Sequence, residues 1–197
     1  MKKKRLLWIF PAVVLAAALT TSVYAYMIHR SQTIANRFIP AQVTCTAHEV
    51  FGKNAETNKD EKTSITIENT GNIDAYLRVR LVFHWQDDKN HPVARNMTPP
   101  VVEYDSENWV WDGEFTYYYK QPVTPDGFTE NLLASGKKIT MESVTESGWY
   151  GTYTYCPTLE IVAEAIQSLP TTTVTAQWGV MLDANGMIQS VLENSDN

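Results

Sequence analysis

The chain is short of thiols, of positive charge and of every compact catalytic motif. Two cysteines in 197 residues are too few for a disulfide-dense scaffold or a four-thiolate zinc site. Sixteen Lys+Arg against 22 Asp+Glu give a net charge of −6. A nucleic-acid binder needs a basic face to neutralise phosphates, so nucleic acid is not an expected partner. The sequence has no Gly-x-Ser-x-Gly elbow and no phosphate-cradling glycine loop. His48-Glu49-Val50-Phe51-Gly52 opens like a zinc-protease helix but carries Gly52 where the second histidine is required. One histidine and its neighbour cannot clamp a metal from one helical face. No catalytic residue, cofactor or metal is expected, and the chain reads as a non-enzyme.

Acid pairs are present, at Asp87 with Asp88, Asp105 with Glu107, and Asp112 with Glu114. Paired carboxylates can flank a sugar or hold calcium. In turns, such pairs are more often solvated surface. Asn96-Met97-Thr98 fits an N-glycosylation acceptor.

The first 25 residues lack acids altogether but hold Lys2, Lys3, Lys4 and Arg5, followed by an apolar stretch from Leu6 to Leu19 broken only by Pro11. Val23 and Ala25 supply the small residues of a cleavage site before Tyr26. This is the pattern of a secretory signal peptide, residues 1–25, forming an N-terminal helix. The competing reading is an uncleaved membrane anchor over Leu6 to Ile28. In both readings the chain is exported, and a signal peptidase is an expected partner. Cleavage would remove four bases and leave 12 Lys+Arg against 22 acids, a charge of −10. Self-association of such a chain should be favoured by salt or by divalent cations.

Export changes the reading of the thiols. In an oxidising compartment Cys45 and Cys156 can bridge, closing a loop of about 110 residues and contributing ~4–5 kcal/mol in the chain-entropy model. Unbridged, they would sit as small apolar residues in strands.

The remainder reads as β structure. Ile65 and Ile67 alternate with Ser64, Thr66 and Glu68; Asn69-Thr70-Gly71-Asn72 makes a tight-turn cluster. From Ile73 to Trp85 a long strand places Ala75, Leu77, Val79, Leu81, Phe83 and Trp85 on one face, with Tyr76, Arg78, Arg80, Val82 and His84 on the other. Two such runs joined by that turn predict a hairpin. Residues 93–113 are irregular, Glu114 to Val123 is a strand, and Thr129 to Val144 supplies two short strands around Ser135-Gly136. Gly151 to Gln167 is a further long strand, chosen over a helix because of the β context. Thr171 to Trp178 makes one or two helical turns and Gly179 to Asp183 a last short strand. Within Tyr117-Tyr118-Tyr119, Tyr118 must face away from its neighbours, which predicts at least one ring near solvent. With Trp109, Trp111 and Trp149 these rings could form a sugar-stacking or docking surface, or simply pack the core. The expected architecture is all-β, an antiparallel β-sandwich over residues 41–197, preceded by an extended segment over 26–40.

Four stretches in order carry a resemblance. Asn69-Thr70-Gly71-Asn72-Ile73-Asp74-Ala75-Tyr76-Leu77-Arg78-Val79-Arg80 resembles the hairpin signature of the TasA/camelysin-like exported biofilm-matrix proteins of Gram-positive bacteria. Ala25-Tyr26 with Asn36-Arg37-Phe38, Tyr117-Tyr118-Tyr119-Lys120 with Pro122-Val123, and Glu164-Ala165-Ile166-Gln167 with Val174 and Trp178-Gly179-Val180 are similar to further blocks of that family. The resemblance implies a jelly-roll-like sandwich, removal of the leader by a dedicated signal peptidase, and a secreted or cell-surface subunit of an extracellular matrix or fibre. Its partners would be further copies or other matrix subunits, with the membrane met only through an uncleaved leader. Some relatives carry a metallopeptidase label, which the missing zinc motif here does not support. The segment Tyr26 to Phe38 has no hairpin partner beside it in sequence and suits strand addition to a neighbouring subunit. The rival classes are an exported adhesin using surface aromatics and a secreted metallopeptidase.

Overall fold

In the computed structural model the described residues are 19, 21, 22, 39–56, 59–94 and 99–192. Leu19, Thr21 and Ser22 are helical. The leader, its cleavage site at Ala25 and Tyr26, the 26–38 segment and the Asn96-Met97-Thr98 sequon lie outside the described residues. The chain divides after Pro40 into two units, and every described strand belongs to the second, Ala41–Asn197.

Eleven strands, short and long, and one helix are described in this unit. They are β1 (Cys45–Lys53), β2 (Asp60–Asn69), β3 (Ala75–Gln86), β4 (Pro92–Val93), β5 (Trp109–Trp111), β6 (Thr116–Tyr119), β7 (Ile139–Met141), β8 (Val144–Gly148), β9 (Gly151–Gln167), α1 (Thr171–Trp178), β10 (Val180–Leu182) and β11 (Ile188–Val191). A small antiparallel sheet has the order β1-β2-β7. A larger one has the order β5-β6-β3-β9-β8, with β4 beside the end of β3. The alternation expected for 73–85 is realised from Ala75 to Leu81: Ala75, Leu77, Val79 and Leu81 are buried, while Phe83 and Trp85 of the same face are only partly so. With Ile65 and Ile67 of β2, Ile139 of β7 and Trp109 of β5 they form one core between the sheets. The all-β, antiparallel character is therefore established. Gly151 to Gln167 is a strand throughout, as its β context indicated.

A second, smaller core lies on the other face of the large sheet. Tyr76, Tyr118 and Ile166 there pack against Val174 and Trp178 of α1 and Val180 and Ile188 of the β10–β11 hairpin. This C-terminal cap corrects the expectation for the tyrosine run. Tyr117, Tyr118 and Tyr119 are all buried, because Tyr117 and Tyr119 point into the inter-sheet core while Tyr118 points under the cap.

The turn at Asn69-Thr70-Gly71-Asn72 needs a larger correction. β2 and β3 do not form a hairpin; they belong to different sheets, and the turn carries the chain from one layer to the other. The reason is a set of hydrogen bonds that local sequence does not display. Thr70 N–H donates to Thr44 O at 3.0 Å and Asn72 N–H to Gln42 O at 3.0 Å, while Gln42 N–H donates to Asn72 Oδ1 at 2.7 Å. The turn is thus tied to the chain entering β1 rather than closing on itself. Asn69 is wholly buried; its Nδ2 donates to Ile73 O at 2.9 Å and Val123 O at 2.8 Å, and its Oδ1 accepts from Gly71 N–H at 3.0 Å. A Cβ on Gly71 would collide with the Gln42 carbonyl oxygen, so only glycine lets the two segments approach this closely. Of the two strands expected between Thr129 and Val144, one is observed as β7; Thr129 to Leu133 instead runs as an irregular edge whose amides bond β2, as Leu132 N–H does to Ile65 O at 2.9 Å.

Candidate functional site

The polar motifs that suggested chemistry resolve into local structure. His48 and Glu49 lie on β1, where their side chains go to different partners. His48 Nε2 sits 2.7 Å from Glu68 Oε2, and Glu49 pairs with the buried Lys62. Among the described residues no three metal-ligating side chains converge. The acid pairs fold back on their own turns. Asp87 Oδ1 accepts from Lys89 and His91 N–H at 2.9 and 2.8 Å. Asp112 Oδ1 accepts from Glu114 and Thr116 N–H at 2.8 and 3.0 Å, and Asp105 Oδ1 from Glu107 N–H at 3.0 Å. The backbone hydrogen bond from His91 to Asp87, with that from Lys89 and the His91 ring beside it, holds its carboxyl below the usual range.

The aromatic platform is dispersed. Trp109 is buried, edge-on to Tyr119 at 5.2 Å. Trp111 stacks on Tyr117 at 6.3 Å and donates Nε1–H to Glu114 O at 2.9 Å. Trp149 stands apart, in the β8–β9 turn at the opposite edge of the same sheet.

Family-like positions, in contrast, do converge. Asn69, Gly71 and Asn72 build the layer-crossing turn. Ala75 is opposite Gln167, Tyr76 opposite Ile166, and Arg78 opposite Glu164 in the β3–β9 ladder. Arg78 Nε donates to Glu164 Oε2 at 2.8 Å. Its guanidinium lies 4.8 Å from the Trp178 ring centre and 5.7 Å from that of Tyr118. Pairing and cation–π contact together clamp the C-terminal cap onto the sheet. These residues build the scaffold and do not line a reactive cleft.

Both cysteines are free, and the bridge expected between them is not formed. Burial, with the Glu164 carboxylate nearby, pushes the Cys45 thiol up.

What remains open is a strand edge. β9 pairs with β3 along Cys156 to Gln167, yet β8 covers its other edge only from Gly151 to Tyr155. Among the described residues nothing pairs with that edge from 156 to 167. β1 pairs with β2 alone. The two bare edges lie side by side around an opening lined by Ala47 and Glu49 of β1 and by His84, Thr158, Leu159 and Ile161. Burial records the gap: Ala75, Leu77, Val79 and Leu81 of β3 are sealed, with Phe83 partly buried, while on this flank only Leu159 is sealed and Cys45, Ala47, Ile161, Ala163 and Ala165 are partly buried. A row of backbone donors and acceptors beside small apolar side chains is a template for one more strand. No motif in the sequence points to this edge, although Pro157 marks it. Proline within a long strand is tolerated at a sheet edge and rarely elsewhere.

Comparison of the chain with protein-family models, with curated proteins and with solved structures finds no match.

Proposed function

We propose that the protein is a secreted structural subunit of an extracellular fibre or matrix, and that it assembles by adding a strand to the open β9 edge. The observation that carries this reading is that, among the described residues, nothing pairs with the outer edge of β9 from 156 to 167 or with the edge of β1 away from β2. The donor is the Tyr26 to Phe38 segment of another copy, freed by cleavage after Ala25. Its thirteen residues match the twelve of the open edge, each spanning ~40 Å when extended. Main-chain hydrogen bonds supply affinity, and apolar side chains of the donor cover Ala47, Ile161 and Ala163. A jelly-roll-like sandwich is completed by this strand. Head-to-tail contacts of this type need not close on themselves, and growth into filaments follows. The arrangement uses no cofactor and no reaction. The resemblance to TasA/camelysin-like matrix proteins supports the same reading.

Light scattering on the protein beginning at Tyr26 should show polymers, and on protein lacking residues 26–38 only monomers. A synthetic peptide of residues 26–38 added in excess should cap the edge and arrest growth. Equal polymerisation with and without the segment would overturn the proposal.

A further inference from the structure

The β8–β9 hairpin is a feature that fibre assembly leaves unused. Only residues 156–167 of β9 lie against β3; Gly151 to Tyr155 pair solely with β8. The hairpin therefore reaches beyond the sheet by five residue pairs, ~16 Å. Gly148 and Gly151 face each other across its end, and Gly151 has φ 135°, a conformation that favours glycine. The two residues held at the apex are Trp149 and Tyr150. They are 95% and 90% exposed, the most exposed aromatics described. Leaving two large rings in water at the far end of a protrusion is costly unless something receives them.

Three observations point to the same receiver. First, residues 147–159 contain no charged residue and no histidine in a chain of net charge −6, so the tip is a neutral patch on an acidic molecule. Second, no other ring among the described residues lies against Trp149 or Tyr150. Trp and Tyr, apolar in body with one polar N–H or O–H, are the side chains enriched at membrane interfaces, where no partner ring is needed to hold them. Third, the hairpin flank is polar and mostly hydroxylic: Thr145 and Thr154 face each other with their Oγ1 atoms 3.2 Å apart, Ser147 faces Thr152, and the one carboxylate, Glu146, stands opposite Tyr153 between these pairs. Hydroxyl flanks beneath a Trp-Tyr apex match the headgroup layer above an acyl boundary.

We infer that the Trp149–Tyr150 tip is a membrane-contacting loop, which seats its rings in the interface of a neutral lipid bilayer. This contact is separate from any leader anchor and from the β9 edge, and it holds the subunit at a defined orientation on the surface.

The test uses the full chain with Trp8→Phe, which removes the tryptophan of the apolar leader, added to phosphatidylcholine vesicles with or without bromine on the acyl chains. Bromolipid should quench part of the tryptophan emission. That quenching should vanish in Trp8→Phe/Trp149→Phe and fall in Trp8→Phe/Tyr150→Asp, which places a charge at the apex. Vesicles with added phosphatidylglycerol should quench no more strongly than neutral ones. Quenching that is absent, that persists without Trp149, or that ignores Tyr150→Asp would overturn the inference. So would retention on an insoluble polysaccharide through Trp149 without any quenching by bromolipid.

Discussion

β3 and β9 carry the same alternating pattern and lie side by side over twelve residue pairs, yet one is sealed and the other is not. β3 is flanked by β6 and β9, covered by the small sheet on one face and by the C-terminal cap over part of the other. Its core positions Leu77, Val79 and Leu81 are wholly buried. β9 has β3 on one side and, from Cys156 onward, no partner on the other among the described residues; its Ile161, Ala163 and Ala165 are half-buried. The difference lies in neighbours, not in residues. Alternation decides which side chains share a face, and topology decides whether that face is finished.

The comparison can be broken hardest at the turn that ties the two layers together. Asn69→Ala removes a buried amide, leaves the Ile73 carbonyl and the Gly71 N–H without that partner, and takes from Val123 O the bond it holds besides Ala75 N–H, at a cost of about 3 kcal/mol or more. A urea midpoint unchanged from the parent would show that the turn does not organise the sheets. A paired truncation sharpens the contrast directly. Leu77→Ala on the sealed strand should cost ~3–4 kcal/mol, and Ile161→Ala on the open one about 1–2 kcal/mol, since a half-exposed site has less transfer energy to lose. Equal losses in denaturant unfolding would mean that both flanks are closed.

The smallest effect is electrostatic. Burial, with Asp112 and Tyr104 adding to it, pushes the Tyr117 hydroxyl up to about 12. In the unfolded chain it ionises near pH ~10. The folded pKa is raised, so this stabilisation is complete below the unfolded value and declines as pH rises from about 10 to about 12. Tyr117→Phe should flatten that decline relative to the parent in alkaline thermal melts. Parallel curves would place Tyr117 in solvent.

Much of this architecture is legible in the chain, and what is not has a physical reason. Ile65, Ile67 and the 73–85 face announce themselves by period two, whereas β9, rich in helix formers from Leu159 onward, reads as a strand only through its β context. The partner of a strand is not encoded in that period. A turn-rich Asn69-Thr70-Gly71-Asn72 reads as a hairpin until Gln42 and Thr44, some thirty residues earlier, supply its hydrogen bonds. Tyr118 looks solvent-bound until Trp178 and Val174, more than fifty residues later, are folded over it. Cys45 and Cys156 look like a pair by count and export alone, yet in the fold both are free. The open edge had one local sign, Pro157, whose missing N–H suits an unpaired side.

Amide hydrogen exchange along β9 tests the central claim most directly. In protein lacking residues 26–38, amides of residues 158–167 that point away from β3 should exchange rapidly while those bonded to β3 stay protected. In the assembled protein that starts at Tyr26, both sets should be protected. Protection of both sets already in the truncated monomer, or fast exchange of the outward set within fibres, would contradict the account.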